Sequence, residues 1–118
     1  MRQLLEGFEP DDAGALWDWE HPFRRGESPA ETARCLGPYL AHVHVKDSIL
    51  RGQRSTPALL GEGELPLGDC FRALRDSRYA GWLTLEVEKR WISESPEPEK
   101  SIPHFAAFIR ERAESVGT

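Results

Sequence analysis

Hydrophobic and polar positions change rhythm several times along this chain. Three stretches read as short strands: Ala13-Gly14-Ala15-Leu16-Trp17-Asp18, Ala41-His42-Val43-His44-Val45-Lys46-Asp47, and Trp82-Leu83-Thr84-Leu85-Glu86-Val87-Glu88. Each is apolar or alternates apolar with polar residues, and each ends in polar groups, the pattern of a buried strand that spills into a loop. Between them the spacing becomes helical. Ser28-Pro29-Ala30-Glu31 is a capping box with proline at the first helical position, so a helix should run to about Leu36 and stop at Gly37-Pro38. Leu67, Phe71 and Leu74 mark one side of a helix over about residues 67–77. Ile102, Phe105, Ala106 and Ile109 mark a closing helix, for which Ser101 is the expected N-cap. Met1 to Glu6 resembles the last turns of a helix ended by Gly7. Strands and helices alternate, which is the rhythm of parallel α/β structure.

Two segments fall outside this rhythm. Ser48 to Pro66 is long and holds Arg51, Arg54, Gly61 and Gly63, which suggests a functional loop over a site, although surface excursions are commoner. Ser93 to Lys100 is rich in proline and glutamate and is expected to be a solvated linker.

The three strands end in Asp18, His44 and Glu86. In parallel α/β proteins catalytic groups collect where strands give way to loops. Two carboxylates and an imidazole suit a divalent metal with open coordination positions. Each residue also has a plainer reading. Asp18 alone could form a turn or cap a helix. His42 shares a strand face with His44 and could be a hydrogen-bonded core histidine. Lys46 and Asp47 either face the rim of a site or are solvated. Glu88 shares a face with Glu86 and could pair with Lys89 or Arg90, and His104 is expected on the surface of the final helix.

Composition narrows the classes of function. The chain has 118 residues, enough for one domain, and a net charge of −5, which gives no basic footprint for nucleic acid. No apolar run is long enough to span a membrane and no leader pattern precedes the first strand, so no membrane partner is expected and the cytoplasm is the default compartment. Cys35 and Cys70 are expected to be reduced, packed thiols. No internal repeat is evident.

The motifs in register resemble a known family. Asp-x-x-His at Asp18 to His21, His-Val-His-Val-Lys-Asp at His42 to Asp47, Leu-Gly-Glu-Gly-Glu at Leu60 to Glu64 and Gly-Trp-Leu-Thr-Leu-Glu at Gly81 to Glu86 resemble the sugar phosphate isomerase/epimerase family of xylose-isomerase-like TIM barrels. The resemblance implies a partial TIM barrel: one domain over residues 1–118, of about three consecutive βα units from the C-terminal part of a (β/α)8 barrel. A complete barrel has ~250 residues. It further implies Asp18, His44 and Glu86 as metal ligands, with manganese, magnesium, cobalt or zinc as the metal. Glu86 would also be a catalytic acid/base. A fourth ligand, the family's first glutamate, is expected on an earlier strand, and Glu6 and Glu9 are poorly placed to replace it. His21 would contact substrate or a second metal, or be an exposed loop histidine. His42, Lys46, Asp47 and Trp19 would contact substrate or support the ligands. Trp19 and Trp91 would lie in loops that wall the pocket.

The chemistry so implied is isomerisation or epimerisation of a sugar or sugar-phosphate-like small molecule, by proton transfer next to a carbonyl through a metal-bound enediolate. Three parallel strands leave open edges, so a homo-oligomer or association through strand edges is expected. The alternative is a catalytically silent partial barrel that serves as an oligomeric metal- or ligand-binding scaffold.

Overall fold

The computed structural model of the protein describes residues 1–116. They divide into two compact units: residues 1–45 with 66–84, and residues 46–65 with 85 onward.

The first unit is built on a parallel sheet of three strands in the order β1-β2-β5. β1 is Ala15–Asp18, β2 is Leu40–Val45 and β5 is Leu83–Leu85, at which the chain leaves this unit. β1 and β5 lie inside the predicted strands, while β2 begins one residue before its predicted start and ends at Val45. The third is shorter than expected, because the backbone departs from extended pairing at Glu86. Side chains alternate across the sheet. Ala15 and Trp17 of β1 and Val43 and Val45 of β2 point to one face and are buried. Leu16 and Asp18, and His42 and His44, take the other.

Helices cover the buried face. α1 (Arg2–Leu5) opens the chain, and α2 (Glu20–Arg24) follows β1 almost directly. α3 (Pro29–Leu36) begins on the expected capping box: the Ser28 side chain accepts from Glu31 N, and Glu31 accepts in return from Ser28 N at 2.8 Å. α4 is Leu67–Asp76. α3 buries Pro29, Thr32, Ala33 and Leu36, and α4 buries Leu67, Cys70, Ala73 and Leu74. Fully burying a large apolar side chain contributes roughly 1.5–3 kcal/mol, so this layer is what holds the sheet. Cys70 is buried as expected, whereas Cys35 is exposed. It lines an open cleft beside β1, where its thiol meets solvent.

The second unit contains a surprise. The expected long loop after His44 begins as an antiparallel hairpin of β3 (Asp47–Arg51) and β4 (Arg54–Ala58). Gly52, with φ +59, supplies the left-handed conformation at the first of its two turn residues. The closing helix α5 (Pro98–Val116) starts earlier than expected. Ser101 is therefore a buried residue inside the helix and not its cap. The segment before it is exposed at most positions, as expected, but is also pinned: Lys89 Nζ donates to the carbonyls of Ser93 at 2.6 Å and Ser95 at 2.9 Å and pairs with Glu97 at 2.8 Å. His104 Nε2 donates to the Leu60 carbonyl at 2.8 Å, so it is half-buried instead of simply facing solvent. Among the described residues no helix is long and apolar enough to cross a membrane.

Candidate functional site

In the first unit the register of β1 on β2 sets Asp18 opposite His44. Both side chains are half-buried. Asp18 Oδ1 accepts from Glu20 N at 2.9 Å, so this carboxylate also stabilises the start of α2, and the cap reading of the sequence holds alongside any other role. Trp19 N donates to the His44 carbonyl at 3.4 Å, which ties the end of β1 to the end of β2. The His42 and His44 rings share the strand face expected from alternation, with centroids 5.6 Å apart and near-perpendicular planes. His42 Nε2 and Thr84 Oγ1 share a hydrogen bond of 2.9 Å, which makes His42 a histidine held against β5. The sequence signal for Thr84 is its place as the polar residue between Leu83 and Leu85 of β5.

His21 is exposed on α2. A cleft of about 390 Å³ lies in this unit, and Leu16, Trp17, Asp18, His21 and Cys35 are among its lining residues. Trp19 does not stand in a loop. It is the N-cap of α2, only 1 % exposed, edge-on to Phe71 at 5.1 Å and tilted against Trp17 at 6.2 Å. Its large apolar area is spent on core packing, not on the wall of a pocket.

In the second unit Glu86 is the first residue after β5, half-buried, and its Oε2 lies 2.8 Å from Lys46 Nζ. Asp47 is also in this unit and is 2 % exposed. Its Oδ1 accepts from Ser48 N at 2.9 Å and Leu65 N at 3.1 Å, and its Oδ2 accepts from Gly61 N at 2.9 Å and Gly63 N at 3.0 Å. These four bonds tie the carboxylate to the backbone of its own neighbour Ser48 and of residues 61–65. Trp91 is well exposed with Arg90 over its ring, 4.9 Å from the centroid.

A family model described as xylose isomerase-like TIM barrel matches residues 1–112. The chain belongs to the xylose isomerase-like TIM barrel family. Among curated members it is similar to an inosose dehydratase of Clostridium botulinum, 29 % identical over 89 residues, which cover 63 % of this chain and 30 % of that protein. It is also similar to a fructoselysine 3-epimerase of Escherichia coli, 36 % identical over 59 residues, covering 50 % and 21 % respectively. Among solved structures, a D-allulose 3-epimerase from Methylomonas sp. superposes with TM-score 0.66 at 21 % identity over 86 % of this chain and 37 % of that one. A xylose isomerase domain protein from Alicyclobacillus acidocaldarius gives TM-score 0.63 at 27 % identity, over 87 % and 36 %. The chain thus spans about a third or less of the length of these xylose isomerase-like proteins. The α/β architecture with its parallel sheet agrees with a segment of that barrel.

Proposed function

We propose that this chain carries the metal-binding end of a sugar isomerase or epimerase site, with Asp18, His44 and Glu86 as ligands of one divalent cation. The observation that carries this reading is the register that sets Asp18 opposite His44, in a sheet where β5, followed directly by Glu86, is the next strand. Two carboxylates and an imidazole, all half-buried, are the donors that manganese, magnesium, cobalt and zinc accept. A bound cation would supply Lewis-acid polarisation of a sugar carbonyl. The chain's own groups do the rest. Glu86 takes a proton from the carbon beside that carbonyl onto a carboxylate oxygen; isomerisation follows when it gives the proton to the former carbonyl carbon, and epimerisation when a second acid/base, outside this set of residues, reprotonates the first carbon from the opposite face. Asp18 is kept in orientation by the Glu20 amide, and His42 is kept in place by Thr84. The names of the relatives, a fructoselysine epimerase and a D-allulose epimerase solved in complex with D-allulose, support a sugar-like substrate.

A second reading is favoured by the sheet's edges, β1 and β5: a partial barrel that binds metal or a sugar-like ligand without turnover and associates with a second copy through those edges. One experiment addresses both. Mn²⁺ titration of the purified chain should give stoichiometric binding that Asp18→Ala, His44→Ala and Glu86→Ala each abolish. Solvent deuterium incorporation into a ketose, followed by NMR alongside light scattering, then separates turnover from silent binding. A well-folded chain that binds no Mn²⁺ even when the charge of Lys46, the residue paired with Glu86, has been removed would refute the metal reading.

A further inference from the structure

Lys46 occupies an unusual position for a strand-end lysine. It stands between Val45, which is fully buried, and Asp47, whose carboxylate is held by four backbone amides, so the root of its side chain is immobilised on both sides. Its side chain is 15 % exposed and that of Glu86 is 23 % exposed. The contacted oxygen, Oε2, is itself out of reach of solvent. Exposed ion pairs contribute little because water and salt screen them, but a pair shielded to this degree interacts strongly.

The geometry points to Lys46 as a positioning residue that restrains divalent-cation binding at Glu86: its ammonium holds Oε2, so the carboxylate serves a metal through Oε1 alone. This rests on the metal reading above and adds a control on it. Lysine and metal draw on the same negative charge, and the lysine both occupies one carboxylate oxygen and repels the incoming cation. Replacing a hydrogen-bonding partner of a metal ligand typically costs about 10–100-fold in metal affinity, because such a partner usually supports the ligand. Here the sign is set by the charge of the partner, so its removal should tighten binding.

The test is Mn²⁺ affinity of the full chain, read by calorimetry and by the EPR signal of free Mn²⁺, with circular dichroism as the check on folding. Lys46→Met keeps the aliphatic stem and removes the charge, and it should bind Mn²⁺ about tenfold more tightly than the natural chain. Lys46→Arg restores the charge and should return the affinity towards the natural value, which a merely structural lysine would not require. Lys46→Gln serves if the methionine variant fails to fold. If the natural chain binds Mn²⁺ and Asp18→Ala abolishes binding, while the neutral variants bind equally or more weakly, this inference is overturned and the metal reading stands. If the natural chain binds none and Lys46→Met does, the inference is upheld in its strongest form. If neither binds, the metal reading fails and takes the inference with it.

Discussion

Gly63 lies directly against the carboxylate of Asp47: its amide donates to Oδ2 at 3.0 Å, and a Cβ at this glycine would stand 2.6 Å from Asp47 Cγ. The acid and the glycine form one device. The carboxylate gathers the backbone of residues 61–65 back onto the start of β3, and the glycine permits the approach.

Removing the acid should be costly. Asp47→Ala leaves four amide donors without their acceptor in a buried place, and losing such a network costs about 3 kcal/mol or more. Asp47→Asn should recover little of this. Each carboxylate oxygen accepts two N–H groups, so either orientation of the amide turns an NH₂ towards two donors. Urea denaturation of the three proteins checks this, and an asparagine variant as stable as the natural chain would refute the assignment.

Gly63→Ala should destabilise by about 1–3 kcal/mol, since the added methyl meets Asp47 Cγ and, at 2.7 Å, Ser48 N, neither of which is the free end of a flexible chain. Gly68→Ala is the control. A Cβ there meets nothing within 4 Å, and the residue lies in α4, so the change should be neutral or stabilising by up to about 1 kcal/mol. Equal effects from the two substitutions in thermal unfolding would show that contact with Asp47 is not what requires the glycine.

The features legible in the sequence were those specified locally. The alternation through His42 to Val45 and the Ser28–Glu31 box contain their own structural instructions within a few residues, and both appear in the fold. The hairpin was obscured because Pro57 and the two flanking arginines interrupt the strand pattern, even though Gly52-Gln53 is a turn signal. Pro57 is tolerated because β4 has a single strand neighbour, β3, in its sheet. Two start signals compete at α5, and the earlier proline prevails over Ser101. The partners of Asp47 lie up to 18 residues downstream, and Lys46 meets Glu86 across a far longer interval. Nothing in the local sequence encodes such contacts. Trp19 departs from its sequence pattern for a related reason: a residue one step past a strand reads as loop, while its burial is decided by Phe71 on a distant helix.

The two cysteines should separate cleanly by accessibility. Cys35 is exposed and Cys70 is fully buried in α4. In native conditions a disulfide-exchange reagent such as DTNB should therefore titrate one thiol rapidly, and Cys35→Ser should abolish that phase. The second thiol should react only as the chain unfolds, at a rate set by opening of the fold. Two thiols reacting at equal speed in the native protein would contradict the packing of α4 on α3.

Acid should weaken the fold through three exposed carboxylates. The Ser28 amide, and then its hydroxyl, hold the Glu31 carboxyl below its ordinary value of 4.5. The Arg51 guanidinium, and then the Leu50 amide, do the same for Glu64. The backbone amide of Glu94 and the Ser93 hydroxyl do so for Glu94. A carboxylate whose folded pKa is depressed contributes stability that is fully present above its unfolded value and is lost as pH falls through the folded one. From these three groups no change is expected between pH 7 and about pH 5.5, and a decline should set in below about 4.5 and continue downward. Because all three face water, the decline from each should be small and should shrink further in high salt. Urea midpoints across pH 3–7 measure it. Glu31→Gln should flatten the acid limb, and Ser28→Ala should flatten it too, because it removes the hydroxyl that the charged form of Glu31 uses while also costing about 1 kcal/mol of helix capping at neutral pH. An acid limb unchanged when Glu31, Glu64 and Glu94 are all replaced by glutamine would mean that the loss arises at other carboxylates.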